Sequence, residues 1–206
     1  MPPSFLYFDL GNVLLYFSHE QGCRQMAEVA GVSVDRVRGA LCDIDRQARY
    51  ERGELSSQEF YEFFCDRTGT RPDYDALALA AGAIFTVNWP MKAVLAHLAA
   101  AGHRLGLLSN TCDVHWNYLA HGRYSMIPEI FHVVALSNRI GAVKPEPKIY
   151  QAAAELAGVA PGEIFFTDDM PGHVAAARAA GFDAVQYTTT PALVAELRQR
   201  GVRFNY

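Results

Sequence analysis

Three aspartates and a lysine carry most of the chemistry this sequence advertises. Asp9 ends the apolar run Phe5-Leu6-Tyr7-Phe8 and opens the segment Asp9-Leu10-Gly11-Asn12-Val13. Asp168 and Asp169 close a second run, Phe165-Phe166-Thr167, and Gly172 follows them. Lys144 lies in Val143-Lys144-Pro145-Glu146-Pro147-Lys148, and Ser109-Asn110-Thr111 ends the run Leu107-Leu108. A carboxylate that attacks phosphorus needs its own charge and the phosphate's charge offset. A hard cation held by carboxylates does this, and Mg²⁺ suits a site of few carboxylates, waters and phosphate oxygens. Asp9, Asp168 and Asp169 supply the carboxylates. Lys144 supplies a point charge of the kind lysine offers phosphate, and Ser109 with the amides near it can donate hydrogen bonds to phosphoryl oxygens. A covalent phosphoryl group on Asp9 would split the transfer into two easier steps. Each piece alone has an ordinary reading: a turn at Asp9, a helix cap at Ser109, solvated charge at Lys144 and Asp168. Only their order and placement point to one site.

Such pieces need a scaffold that gathers strand ends. Short β-type runs at 104–109, 130–136, 164–168 and 184–187 alternate with helical patterns near 91–101, 113–121, 148–156, 172–180 and 192–200. Thr190-Pro191 reads as an N-cap followed by proline at the first helical position. This alternation predicts crossover units on a parallel sheet, and the first strand, 4–9, fits the same sheet. The expected fold class is therefore α/β, a doubly wound Rossmann-like sheet. Ligands bind such a sheet outside the carboxyl ends of its strands, at a topological switch point. Three of the pieces fall at strand ends, and the loop with Lys144 can reach them.

From about residue 16 to 86 the alternation stops. Almost no strand signal is present, and helical segments are expected near 20–30, 34–46, 57–67 and 74–85. The third opens with a capping box, Ser56 to Glu59. The expected organisation is a helical cap at 16–86 inserted into a Rossmann-like catalytic core of 1–15 and 87–206. Within the cap, Asp43, Asp45, Arg46, Arg49, Tyr50, Glu51 and Arg52 form a charged segment, read either as a solvated helix face or as substrate recognition. Tyr61, Phe63 and Phe64 are expected to be packing.

Composition sets the outer limits. The chain has 206 residues, 50% of them hydrophobic, enough for one α/β core with a smaller insertion. A net charge of -4 leaves no basic stripe for nucleic acid and no electrostatic attraction to a membrane surface. No apolar run is long enough to span a bilayer, and no charged segment precedes an apolar leader. Cys23, Cys42, Cys65 and Cys112 are scattered without a Cys-x-x-Cys pair, so they are expected as buried thiols in a reducing, cytoplasmic setting. The seven histidines show no ligand spacing, although His19 and His115 fall near the expected cleft mouth. The expected partner is a small phosphorylated metabolite, and the expected state a monomer or weak homodimer.

In this order, the four pieces and the helical stretch after strand one resemble the haloacid dehalogenase-like phosphatase superfamily over essentially the whole chain. Ser109-Asn110-Thr111 and Val143-Lys144-Pro145-Glu146-Pro147-Lys148-Ile149-Tyr150 look closest to two subgroups: bacterial sugar-phosphate phosphatases whose first motif reads Asp-Leu-Gly-Asn-Val, and the N-terminal phosphatase domain of soluble epoxide hydrolases. The resemblance implies a magnesium-dependent hydrolase of small phosphomonoesters, with sugar phosphates favoured. Asp9 would be nucleophile and metal ligand, the Gly11 carbonyl a second ligand, and Asp169 a third, with Asp168 close by through water. Lys144 would be catalytic and would hold the phosphate together with Ser109, Asn110 and the Gly11-Asn12 loop.

One departure matters. Most phosphatases of this superfamily carry a second aspartate two residues after the nucleophile, as general acid and base. Here that residue is Gly11. Its carbonyl can still serve a metal, but proton delivery falls to water or to a cap side chain such as Asp45 or Glu51. General acid–base help is worth ~10²–10⁴ in rate, so slow turnover is the expectation if nothing replaces it. The loss also admits an alternative, a phosphate-ester-binding regulatory protein without efficient catalysis. A 2-haloacid dehalogenase would use Asp9 without metal, which leaves the Asp168-Asp169 pair unexplained. A phosphonate hydrolase needs a cap lysine for its Schiff base, whereas the lysines here are Lys92, Lys144 and Lys148, none of them in 16–86.

Overall fold

The computed structural model describes residues 2–121, 124 and 129–206. Strand β1 (Phe5–Phe8) is buried along its whole length. Its side chains alternate between two faces, as the pleat requires. Leu6 and Phe8 pack with Leu105, Leu107 and Phe165 on one face, and Phe5 and Tyr7 pack with Leu108, Ile164 and Phe166 on the other. A strand buried on both faces reads as an unbroken apolar run, which is why Phe5-Leu6-Tyr7-Phe8 marks a central parallel strand. It lies between β4 (Leu105–Ser109) and β6 (Ile164–Asp168), with β5 (Val133–Leu136) beyond β4 and β7 (Asp183–Gln186) beyond β6. All four pairings are parallel.

Helices α6 (Trp89–Ala100) and α11 (Thr190–Gln199) cover the first face through Met91, Val94, Leu98, Leu193 and Leu197. Helices α9 (Pro147–Ala157) and α10 (Pro171–Ala179) cover the second through Ile149, Tyr150, Ala153, Val174 and Ala177. The chain adds β4 and β5 on one side of β1 and later β6 and β7 on the other, so the order reverses at β1. Its carboxyl end is the switch point, as expected for a doubly wound sheet. One cap differs from expectation. Thr189, not Thr190, is the N-cap of α11: its Oγ1 accepts from Ala192 N at 3.3 Å, and Thr190 is already helical.

Between β1 and α6 the chain forms α1 (His19–Ala30), α2 (Val34–Leu41), α3 (Ile44–Glu51), α4 (Ser57–Thr68) and α5 (Tyr74–Gly82). All but α3 share a small core of Cys23, Met26, Ala27, Val37, Phe64 and Leu77, and α3 packs Tyr50 against Leu55 and Cys112 instead. The single helix expected over 34–46 is two. Asp43 caps the second by accepting from Arg46 N at 3.0 Å, and aspartate favours that capping geometry over a helix interior. Cys42, expected to be buried in that helix, is consequently exposed in the break, while Cys23, Cys65 and Cys112 are buried. The helix expected over 74–85 stops at Gly82. Phe85–Val87 is instead a strand, β3, paired antiparallel with β2 (Leu15–Phe17). This two-stranded ribbon at the root of the helical segment corrects the expectation of almost no strand there.

Two further elements flank the strand ends, α7 (Asp113–His121) and the single turn α8 (Ser137–Ile140). Among the described residues no helix is long and apolar enough to cross a membrane.

Candidate active site

Backbone geometry at the end of β1 aims Asp9 into the crevice. Asp9 N donates to Thr167 O at 2.9 Å, which continues the ladder with β6 by one residue. The chain then turns sharply. Leu14 N and Leu15 N both return to Leu10 O, and Asn12 N donates to Leu15 O at 2.7 Å. Asn12 takes φ 54° to make this turn, a conformation asparagine tolerates better than most residues. Its side chain does not point to open space: Nδ2 donates to Asp169 Oδ2 at 3.0 Å and fixes that carboxylate.

Lys144 is the hub. Its ammonium, 1% exposed, donates to Asp9 Oδ1 at 2.6 Å, to Asp168 Oδ2 at 2.5 Å and to Leu108 O at 3.1 Å. Three strands thus meet on one nitrogen. Asn110 holds the backbone that carries it, accepting from Lys144 N at 2.7 Å and donating to Lys144 O at 3.0 Å. The Asn110 amide therefore clamps the lysine loop. Ser109 is buried beside it, with Oγ 3.2 Å from Asn110 O.

The electrostatics follow from burial. Burial disfavours the Asp9 anion, and with Asp168 nearby its pKa rises to about 6 despite Lys144. For Lys144, burial pulls the other way but the two carboxylates outweigh it, and the ammonium is held above the ordinary lysine range. Asp168 is likewise buried, yet Lys144 and His173 hold it below the ordinary carboxylate range.

Asp9, Asp168 and Asp169 can each bring one carboxylate oxygen within 4.8 Å of the others. Three carboxylates against one ammonium leave two negative charges, the deficit a divalent cation would fill. All three offer hard oxygens, the donor type that suits Mg²⁺. Asp168 is the most heavily engaged. Its Oδ2 meets Lys144 and His173, and its Oδ1 meets His173 at 3.0 Å and Met170 N at 2.8 Å. That leaves Asp9 and Asp169 as the better direct ligands, with Asp168 acting through them or through water.

Gly11 offers no side chain to the crevice, and the space a side chain would fill is taken. A Cβ built on Gly11 would lie 2.9 Å from Phe17 Cε1 and 3.9 Å from Asp9 Oδ2. Of the two substitutes considered, Asp45 is exposed on α3. Glu51 faces inward and accepts from Gln47 Nε2 at 2.9 Å.

Several site residues gave no sequence signal. His173 braces Asp168 from the first turn of α10, and a lone histidine five residues on carries no motif. Ser137, at the start of α8, accepts from Thr111 N at 2.9 Å and donates to Glu51 O at 2.6 Å. Arg52 Nε donates to Glu146 at 3.0 Å, joining the helical segment to the lysine loop. Most of the charged segment 43–52 is structural: Arg46 lies 3.9 Å over Phe63, Arg49 pairs with Glu54, and Tyr50 stacks on Phe60 at 4.5 Å.

A family profile described as haloacid dehalogenase-like hydrolase matches residues 7–181. A Mycobacterium tuberculosis protein named as a phosphatase is 45% identical over 56 residues, which is 27% of this chain and 26% of that protein, so the match spans about a quarter of the relative. Among solved structures, a HAD family enzyme from Bacteroides thetaiotaomicron, crystallised with magnesium and inorganic phosphate, superposes with a TM-score of 0.79 at 23% identity, covering 90% of this chain and 94% of that one. An L-2-haloacid dehalogenase from Xanthobacter autotrophicus superposes with a TM-score of 0.65 at 20% identity, covering 98% and 84%. The similarity to both is one of fold, so the choice of chemistry rests on the residues of the crevice.

Proposed function

We propose that this chain, which belongs to the haloacid dehalogenase-like hydrolase family, hydrolyses small phosphomonoesters with Asp9 as the group that accepts the phosphoryl. The observation that carries this reading is the Lys144 ammonium locked between Asp9 and Asp168 beside a third carboxylate. The part of it that speaks against a metal-free dehalogenase is the third carboxylate, which makes a set able to hold a cation.

Lys144 orients Asp9 by holding Oδ1, which leaves Oδ2 on the Gly11 side for attack. A bond forms from Asp9 oxygen to phosphorus as the bond from phosphorus to the ester oxygen breaks. The departing alkoxide takes a proton from a water, because position 11 offers no acid. The hydroxide so formed attacks the phosphoryl group on Asp9, releasing hydrogen phosphate and restoring the carboxylate. Through both steps Lys144 keeps its charge beside the reacting atoms, since its two carboxylate neighbours hold the proton on it. Ser109, whose hydroxyl is engaged only with the neighbouring Asn110 carbonyl, would turn to donate to a phosphoryl oxygen, whereas the Thr111 amide is held by Ser137. Mg²⁺, held by Asp9, Asp169 and the Gly11 carbonyl with Asp168 behind, would offset the combined charge of nucleophile and phosphate. The helical segment acts as a cap that keeps bulk water from the crevice.

Phosphate release from a panel of phosphomonoesters, with Mg²⁺ and with a chelator, tests the reading. Mg²⁺-dependent release is expected. Tight binding of esters without release above background would replace it with the regulatory alternative, which the Phe17 ring at Gly11 favours.

A further inference from the structure

A cavity of about 480 Å³ opens inside the helical segment, and the reaction above makes no use of it. Its wall comes from α1, α2, α3, α4 and α5 and the start of α7. The size falls in the ~300–1,000 Å³ range of small-molecule sites. Ile44, 87% exposed, stands at its rim.

Three links tie this chamber to the crevice. Cys112 of its wall directly follows the Ser109–Thr111 segment. Glu51 of its wall is bonded through its carbonyl to Ser137, which also holds Thr111 N. His19 of its wall meets Phe17 edge-on with ring centroids 5.0 Å apart, and Phe17 is the ring that covers Gly11. No residue of the Asp9–Lys144 cluster lines the chamber itself, but these neighbours bring its inner end toward the Gly11 side of the crevice.

The wall decides what fits. Met26, Leu41, Phe60, Phe64, Leu77 and Ile84 are apolar. Its polar side chains are mostly paired already. Arg38 is bonded to Glu20 at 2.9 Å and to Asp35, Gln47 to Glu51 at 2.9 Å, Tyr50 to Ser57 at 2.7 Å and Tyr61 to Pro72 O at 2.6 Å. Burial holds both His19 and His115 below the ordinary histidine range, so neither brings a cation at neutral pH. Beyond His19 and one Glu51 oxygen a polyol would find its hydroxyls against partners that are taken, whereas a hydrocarbon would only displace water.

We propose that the chamber is the leaving-group site and selects phosphomonoesters of apolar alcohols, cycloalkyl or branched alkyl, over sugar phosphates; this rests on the hydrolase reading above. It departs from the sugar-phosphate preference expected from sequence.

Cyclohexylmethyl phosphate and glucose 6-phosphate test it, because both lose a primary alkoxide next to a six-membered ring and differ chiefly in hydroxyls. The kcat/KM for cyclohexylmethyl phosphate is expected to exceed that for glucose 6-phosphate by about tenfold or more. Ala78→Phe and Ala48→Phe, on different helices of the wall, are expected to lower the ratio of cyclohexylmethyl to ethyl phosphate turnover by about tenfold. A ratio favouring glucose 6-phosphate in the wild type overturns the proposal while leaving the hydrolase reading intact, even if neither variant folds. If no ester is turned over, the hydrolase reading fails, and calorimetry on Asp9→Asn decides the chamber separately. Tighter binding of cyclohexylmethyl phosphate than of glucose 6-phosphate would sustain it, and equal or weaker binding would overturn it.

Discussion

The strand ends and the helical segment solve opposite problems. At the strand ends, polar groups are buried and tied to each other: Lys144 has three acceptors, Asp168 four contacts and Asn12 a carboxylate to hold. In the helical segment the interior is apolar and partly empty. Its ion pairs, such as Arg38 with Glu20 and Arg71 with Glu62, lie on the surface. The first arrangement cannot lose its ammonium without leaving buried carboxylates unpaired. The second can change its side chains and still fold. Chemistry is thereby confined to a rigid cluster, and selectivity to a region free to vary.

The largest effect expected is at the cluster itself. Asp9→Asn and Lys144→Met should both bring phosphate release to background, yet they should part in stability. Burial disfavours the Asp9 anion, so the amide is expected to leave the melting temperature unchanged or raised. Lys144→Met strands two buried carboxylates, and removing one partner of a buried pair costs ~3–5 kcal/mol. Thermal melts of the two variants check this. Equal melting temperatures would mean that Lys144 is not the structural hub.

Next in size is the acid. Gly11→Asp alone collides with Phe17 Cε1, so the ring must move first. The double variant Gly11→Asp with Phe17→Ala is expected to raise kcat on an alkyl phosphate, within the ~10²–10⁴ that general acid–base catalysis supplies. An unchanged kcat would show that some other group already delivers the proton.

These two regions were unequally legible in the sequence. Asp9, Asp168 and Ser109 stand out because each ends an apolar run, and a strand buried on both faces is hard to mistake. Lys144 followed from its type and loop. The ribbon β2–β3 was missed because three-residue strands carry too little pattern and their pairing joins residues about 70 apart in the chain, Leu15 with Val87. The chamber was invisible for a related reason. Its wall draws on five helices and the start of a sixth, and no spacing along one helix reveals a shared void. His173, Ser137 and Phe17 act through contacts that only the folded chain creates.

A smaller effect lies where the regions touch. Gly53 has φ +72°, and a Cβ there would lie 2.2 Å from Asn138 O. Gly53→Ala combines a left-handed strain of ~1–3 kcal/mol with a backbone clash. Alanine there should lift the turn after α3 off α8, raising KM for ring-bearing esters more than kcat changes. Steady-state kinetics on cyclohexylmethyl and ethyl phosphate check this. A matching rise for both esters would locate the damage in the phosphate cluster.

The smallest expected effect concerns the ion pair that spans the same seam. Arg52 reaches Glu146, two residues beyond Lys144, and Glu146 also accepts from Val143 N at 3.2 Å. Glu146 thus shapes the lysine loop whether or not the helical segment is docked. Arg52 adds only the link between them. Its side chain is 28% exposed and that of Glu146 36%, so solvent screens the pair and its contribution stays below ~1 kcal/mol. Arg52→Gln should therefore leave kcat nearly unchanged and raise KM by about two- to fivefold, the factor that so weak a link permits. Adding salt should bring the wild type toward the variant, because a partly exposed pair weakens as ionic strength rises. A loss of kcat instead would mean that Arg52 acts on Lys144 through Glu146, and the helical segment would then belong to the catalytic cluster it was contrasted with.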